Sequence, residues 1–234
     1  MNSASIAHLC ARAGGATLAA VTSAVAVLRR PAKPLHPRGE VFSGRLHRRG
    51  TIDVPPTGVG WLDEPGEDEV LVRLSRAVGL PGHLPDIHGL AVRVIAPDGP
   101  ADILFATTGT GRIGRYLLTA CRHPGGRPMT TLLPYRTAAG AVILSAEIIH
   151  DRTCRLSWAL GSGPWHPFGT IDLSRDHGDP GIWFDPVMNQ MAGLGQFPFV
   201  LLLREPAYRR ARRTRTTPDA PRGETAGTFA GPTG

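Results

Sequence analysis

"VLVRLSRAVGLPGHLPDIHGLAVRVIAPDGPADILF", residues 70–105, decides the fold. In "VLVRLSR" Val70, Val72 and Leu74 fall on one side of an extended chain, and Leu71, Arg73 and Ser75 fall on the other. A period of two is the signature of a strand with one buried face. "GLAVRVIAP", 89–97, repeats it, Asp98–Gly99 supplies a turn, and "ADILFATT" follows at 101–108. Three strands joined by a loop and a tight turn run antiparallel.

Working outward, "EVFSGRL" at 40–46 reads as a strand before this block. "MTTLLPYRT", "AVILSAEIIH", "CRLSWALG" and "FGTIDLS" read as four more after it. The segment "RYLLTACR", 115–122, has the composition of a short helix. Spacers rich in Pro and Gly lie at 54–68, 79–86 and 161–167. About eight strands suit a closed antiparallel barrel. The expected fold class is mainly β (α+β), with a few helices flanking the barrel.

The chain has 234 residues, the size of one domain with tails. Hydrophobic residues make up 41% and charged residues 19%, enough for a sizeable core. Net charge is +7, but residues 209–234 hold six arginines against Asp219 and Glu224, which is +4 and leaves the body +3. The tail's composition is that of a disordered basic segment. No zinc-finger spacing, aromatic RNA-binding motif or basic-region heptad accompanies it, so no specific nucleic-acid partner is expected. Cys10, Cys121 and Cys154 are too few and too scattered for a disulfide framework or a zinc site, which fits a reducing, cytoplasmic setting. The apolar run "GGATLAAVTSAVAVLRR" is too short to span a bilayer. It reads as a helical arm closed by Pro31, with a signal peptide as the alternative. The organisation is therefore an arm at 1–32, a barrel at 33–208 and a tail at 209–234.

Two patterns bear on chemistry. "GTGRIG", 109–114, has the glycine spacing of a phosphate-binding loop. That fingerprint also needs a βαβ unit and an acidic residue about 20 positions on, and 128–139 contains no carboxylate. A glycine-rich turn is the better reading. The nine histidines do not fall at metal-ligand spacing, and no G-x-S-x-G marks a serine hydrolase.

The order of four other segments is more informative. "KPLHPRGEVFSG", 33–44, resembles the segment of heme catalases in which the distal histidine precedes the first barrel strand. The 70–105 block resembles the next catalase stretch, and "FGTIDLSRDHGDPGIWFDPVMN", 168–189, resembles a later one. "REPAY" gives Arg204 and Tyr208 the Arg-x-x-x-Tyr spacing of the proximal ligand. The resemblance covers about 33–208, with 109–164 much shorter than in catalases.

The resemblance implies a catalase-like barrel binding heme b. His36 would be the distal general base and acid, with Ser75 orienting it. Lys33 and Arg73 would pair with the heme propionates. Tyr208 would ligate the iron, with Arg204 stabilising the phenolate. The implied substrate is hydrogen peroxide or an organic hydroperoxide, turned over by a weak peroxidase, and a homo-oligomer is compatible with it. Competing readings are a non-catalytic binding module and a phosphodiesterase-type hydrolase on the same fold. Two features depart from the family. Pro206 lies between Arg204 and Tyr208, and Pro is suited to the first turn of a helix. The position four residues after Asp102, where catalases place an asparagine, is Ala106, leaving the hydroxyls of Thr107 and Thr108 as nearby replacements.

Overall fold

The computed structural model describes residues 39–200 except 78, 82, 97–98, 151 and 178–181. The expected arm and tail, and with them Lys33, His36, Arg204 and Tyr208, lie outside the described residues.

The strands run in chain order as β1 (Gly39–Arg49), β2 (Pro65–Arg76), β3 (His88–Ala96), β4 (Gly99–Thr107), β5 (Pro128–Thr130), β6 (Tyr135–Thr137), β7 (Gly140–His150), β8 (Thr153–Leu160), β9 (His166–Asp176) and β10 (Gly195–Gln196). Two four-residue helices, α1 (Gly60–Asp63) and α2 (Gly111–Gly114), interrupt them. Every pairing is antiparallel. The ring β1–β2–β3–β4–β5–β7–β8–β9 closes where β9 meets β1, an eight-stranded barrel with β6 and β10 appended along β7. Each of these eight strands pairs with a neighbour on both sides, the shortest ladder being the two residue pairs between β4 and β5.

The alternation read from the sequence is the alternation of the barrel wall. Val70, Val72, Leu90, Val92, Val94, Ile103, Phe105, Met129, Leu144, Leu156 and Trp158 point inward and form one buried cluster. Burial of each large side chain contributes about 1.5–3 kcal/mol. The interior is packed with side chains, so a ligand of any size must sit against the outer wall or at an end.

β1 and β2 are longer than expected because their solvent ends are tied together. Asp68 accepts from Arg48 Nε at 2.7 Å and from Trp61 Nε1 at 3.1 Å, while Arg48 Nη1 donates to the Glu64 carbonyl at 2.8 Å. These bonds hold α1 against the strand ends, where Trp61 meets Phe168 edge-on at 5.1 Å. The spacer at 54–68 therefore contains a helix and the start of a strand.

Two expectations need correction. "MTTLLPYRT" is two strands, β5 and β6. Between them Leu132 adopts φ 60°, Leu132 N–H donates to Thr130 Oγ1, and Thr131 Oγ1 donates to the Leu133 carbonyl. Pro134 then has no N–H to continue a ladder. Nor is "RYLLTACR" a helix. Its backbone pairs with distant partners: Thr119 N–H with the Thr107 carbonyl, and Cys121 with Asp86 in both directions. Local composition gave way to non-local hydrogen bonds.

Candidate functional site

The register of the barrel aligns small residues in one row. Gly39 pairs with Ser75, Ser75 with Gly89, Gly89 with Ala106, and Ala106 with Thr130. The row continues through Ser145 to Ser157. Directly opposed residues in a sheet share a face. Val72, Leu90 and Phe105 point inward, so this row lies on the outer wall. From β1 to β4 no side chain in it exceeds serine.

Arg73 and Ser75, two residues apart on β2, share that outer face. Arg73 reaches back across Gly39: a Cβ added there would sit 2.5 Å from Arg73 Nε and 2.8 Å from the Leu74 carbonyl oxygen. The glycine is what lets the arginine side chain lie along the wall. Ser75 Oγ donates to the Gly89 carbonyl at 3.4 Å. Ala106 is two strands from Ser75, about 10 Å away at ordinary strand spacing. Of the six residues singled out for a site, Arg73 and Ser75 are therefore brought together, and the other four lie outside the described residues.

The hydroxyls beside Ala106 do not replace the missing amide. Thr107 is fully buried; its Oγ1 donates to the Thr119 carbonyl at 2.7 Å and accepts from His88 N–H at 3.1 Å. Thr108 Oγ1 donates to the Pro128 carbonyl at 3.5 Å. Both serve the loop between β4 and β5.

Three aspartates fix the loops around the wall. Asp102, with no side-chain exposure, accepts from Arg93 Nε at 2.7 Å and Nη2 at 2.8 Å. It also accepts from Asp185 N–H and Asn189 Nδ2, each at 2.7 Å. Arg93 Nη2 donates to the Trp183 carbonyl, and the guanidinium lies 4.9 Å from the Phe184 ring centroid. The Asp102 hydrogen bonds raise the Arg93 pKa above its ordinary value, against the opposing effect of burial. This knot lays the "WFDPVMN" segment on the outer face of β3 and β4. Asp86 accepts from the N–H groups of Gly79, Leu80 and Ile87 and pairs with Arg76 at 3.5 Å, shaping the β2–β3 loop. Asp63 does the same for 51–59.

The sequence shows both halves of the Asp102 knot, 89–105 and 183–189, but not that they meet. The hairpin alone was not a sufficient signal, because its register depends on where the turn is centred. A turn centred on Asp98–Gly99 puts Arg93 opposite Leu104. The observed ladder, with Ala96 opposite Gly99, puts it opposite Asp102.

"GTGRIG" is a turn. Gly111 has φ 78°, and a Cβ on Gly109 would meet the Gly114 backbone at 3.2 Å. The chain leaves it for β5, antiparallel to β4, so no βαβ unit exists. Among the described residues no three His, Cys, Asp or Glu side chains converge as a metal site, and no helix is long and apolar enough to cross a membrane.

The closed eight-stranded ring has counterparts among solved structures. A bacterial catalase superposes with a TM-score of 0.53 over 79% of this chain and 57% of its own, at 14% identity. The fold is that of the catalase barrel. Catalase A from Saccharomyces cerevisiae agrees, with a TM-score of 0.56, 12% identity, and coverage of 79% of this chain and 61% of its own. The chain thus spans about three-fifths of the length of these catalases. No protein-family model matches it, and no curated protein matches it in sequence. What is shared is the barrel, and a fold by itself does not carry a chemistry.

Proposed function

We propose that the protein is a catalase-like heme-binding protein with weak peroxidase activity toward hydrogen peroxide or organic hydroperoxides. The observation that carries the reading is the outer wall of a catalase-type barrel on which Arg73 lies beside a row of minimal side chains, Gly39, Ser75, Gly89 and Ala106. Side chains no larger than serine leave this face flat, the shape that a planar ring needs. A guanidinium along that wall suits a propionate, because its planar fork matches a carboxylate. These residues fit heme b.

Heme, when bound, supplies the redox-active iron. Arg73, with Lys33, would hold the propionates. Tyr208 would be the iron ligand, its phenol ionised with help from the metal and from Arg204. His36 would accept the proton from the near oxygen of peroxide and return it to the leaving oxygen, with Ser75 orienting the imidazole. General acid–base help of this kind is typically worth about 10²–10⁴ in rate. The organisation that accompanies the reading is an arm at 1–32, a functional body at 33–208 and a basic tail at 209–234, in a cytoplasmic protein that can form homo-oligomers.

The test is heme titration of the full chain followed by absorbance. A Soret band saturating near one heme per chain, altered by Tyr208→Phe, is the expected result. No Soret band after reconstitution overturns the reading, and an unchanged spectrum in Tyr208→Phe removes Tyr208 as ligand.

One observation favours a second reading. Ala106 offers peroxide no hydrogen bond, and the Thr107 and Thr108 hydroxyls are engaged by backbone. A barrel that binds heme without turning over peroxide follows from that chemistry. It is distinguished by a Soret band that peroxide does not perturb.

A further inference from the structure

The turn of "GTGRIG" and the turn after β8 meet on the outside of the barrel, and two arginines lie between them. Arg115 is only 4% exposed. Its guanidinium carbon sits 4.2 Å from the centroid of the Trp165 ring, Nε donates to the Gly111 carbonyl at 3.1 Å and Nη1 to the Gly161 carbonyl at 3.3 Å. Its own carbonyl accepts from Thr130 Oγ1 at 2.6 Å, so the residue is fixed at both ends. Arg112, exposed, donates from Nε to the Ser162 carbonyl at 3.2 Å. Both cations are thus held by adjacent carbonyls of one turn, Gly161 and Ser162.

Neither arginine pairs with a carboxylate among the described residues. Carbonyl oxygens and an aromatic face orient a guanidinium but leave its net charge in place. Burying a charge without an opposite one is costly, and a second cation beside it adds to the cost. Burial, with Arg112 adding repulsion, pushes the Arg115 pKa below its ordinary value despite a smaller opposing effect of Tyr116. Three half-buried arginines elsewhere, Arg48, Arg76 and Arg93, each pair with an aspartate. Here no carboxylate among the described residues supplies the anion.

We propose that Arg112 and Arg115 form a seat for a small dianionic oxyanion, a phosphate group, clamped between the 109–116 and 161–165 turns. Two fixed guanidinium groups match two negative charges, and Arg115 Nη2 and both Arg112 Nη atoms have no described protein partner, leaving N–H groups for phosphate oxygens. The group belongs to free phosphate or to a phosphate monoester of a small molecule. The seat is independent of heme.

Isothermal titration of the full chain with inorganic phosphate, and separately with glycerol phosphate, at constant ionic strength tests it. One saturable site per chain is expected. Binding of inorganic phosphate alone assigns an enclosed seat for the free ion, and binding of both assigns a monoester seat. Arg112→Gln, at an exposed position, should weaken binding about tenfold or more, as loss of a charged hydrogen-bond partner does. Arg115→Lys should weaken it as well, since an ammonium cannot reproduce the fork. Arg136→Gln, an exposed arginine on β6, should leave it unchanged. Absence of saturable heat with both ligands overturns the proposal, as does an equal loss in Arg136→Gln, which would make the binding nonspecific attraction to a basic chain.

Discussion

Asp102 and Arg93 face each other across the β3–β4 hairpin in a two-point ion pair at 2.7 and 2.8 Å, and the carboxylate has no exposure to solvent. Two further N–H donors, from Asp185 and Asn189, complete its coordination and bring a segment more than 80 residues away onto the hairpin. Removing one partner of such a pair strands the other. Asp102→Ala should cost about 3–5 kcal/mol, read as a lowered urea midpoint. The double variant Arg93→Met/Asp102→Leu should recover part of that loss, because no buried charge remains unpaired. A double variant no more stable than Asp102→Ala alone would show that the knot does not act through charge pairing.

Asp63 carries a pH dependence of definite sign. Partial burial pushes its carboxyl pKa up, but donations from Thr57 N–H, the Thr51 and Thr57 hydroxyls and Gly58 N–H outweigh that and hold it below the usual carboxylate range. A folded pKa below the unfolded one gives stability that is complete above the unfolded value of about 4 and is lost as pH falls through the folded value. Asp63→Asn should lower stability at pH 7 by about 1–3 kcal/mol and flatten the decline below pH 4. Denaturant melts at several pH values read both effects. A variant whose acid limb matches the parent's would assign the pH dependence elsewhere.

Period-two alternation at Val70/Val72/Leu74 and Leu90/Val92/Val94 was enough to expose the barrel wall, because a half-buried strand writes its two faces into every second residue. It could not show where a strand breaks. Leu132 and Pro134 sit inside an apolar run, and the break depends on hydroxyls that compete for backbone groups. Nor could it show that 115–122 would be drawn into bridges with Asp86 and the end of β4, since those partners are far away in sequence. The site was legible to the same degree. Alternation places Arg73 and Ser75 on one face, whereas the small row running from Gly39 to Ser157 depends on the register of six ladders, which no single segment contains.

The thiols supply a measure of how tightly the wall is closed. Cys154 points into the barrel core, and burial, with Asp172 adding to it, pushes its pKa up to about 11. Burial raises Cys121 as well, less completely because Arg127 and the Thr107 hydroxyl oppose it. At pH 8 only about one Cys154 in a thousand is thiolate, and the thiolate is the reactive form. In a Cys10→Ser background, native protein should react with a disulfide reagent only at the rate of opening, and both thiols should appear at once in denaturant. Rapid native labelling of Cys154 would mean that the wall between β7 and β9 opens locally.

The row of small residues makes the last prediction, and it depends on bulk and polarity at one position. Ala106 lies half-buried on the outer wall, opposite Gly89 and in line with Ser75. Ala106→Phe places a large ring on that surface without touching the core, so the chain should keep its denaturation midpoint and lose heme uptake. Ala106→Asn adds an amide of modest size where the chain has no donor. If His36 shuttles the proton, the rate of heme spectral change after mixing with peroxide should rise in Ala106→Asn and fall by about 10²–10⁴ in His36→Ala. Stopped-flow absorbance reads all of these. Equal rates in His36→Ala and the parent would remove the distal role of His36, while unimpaired heme uptake in Ala106→Phe would move the ring off this wall. The two failures are separate: one concerns the proton, the other the surface against which the ring lies.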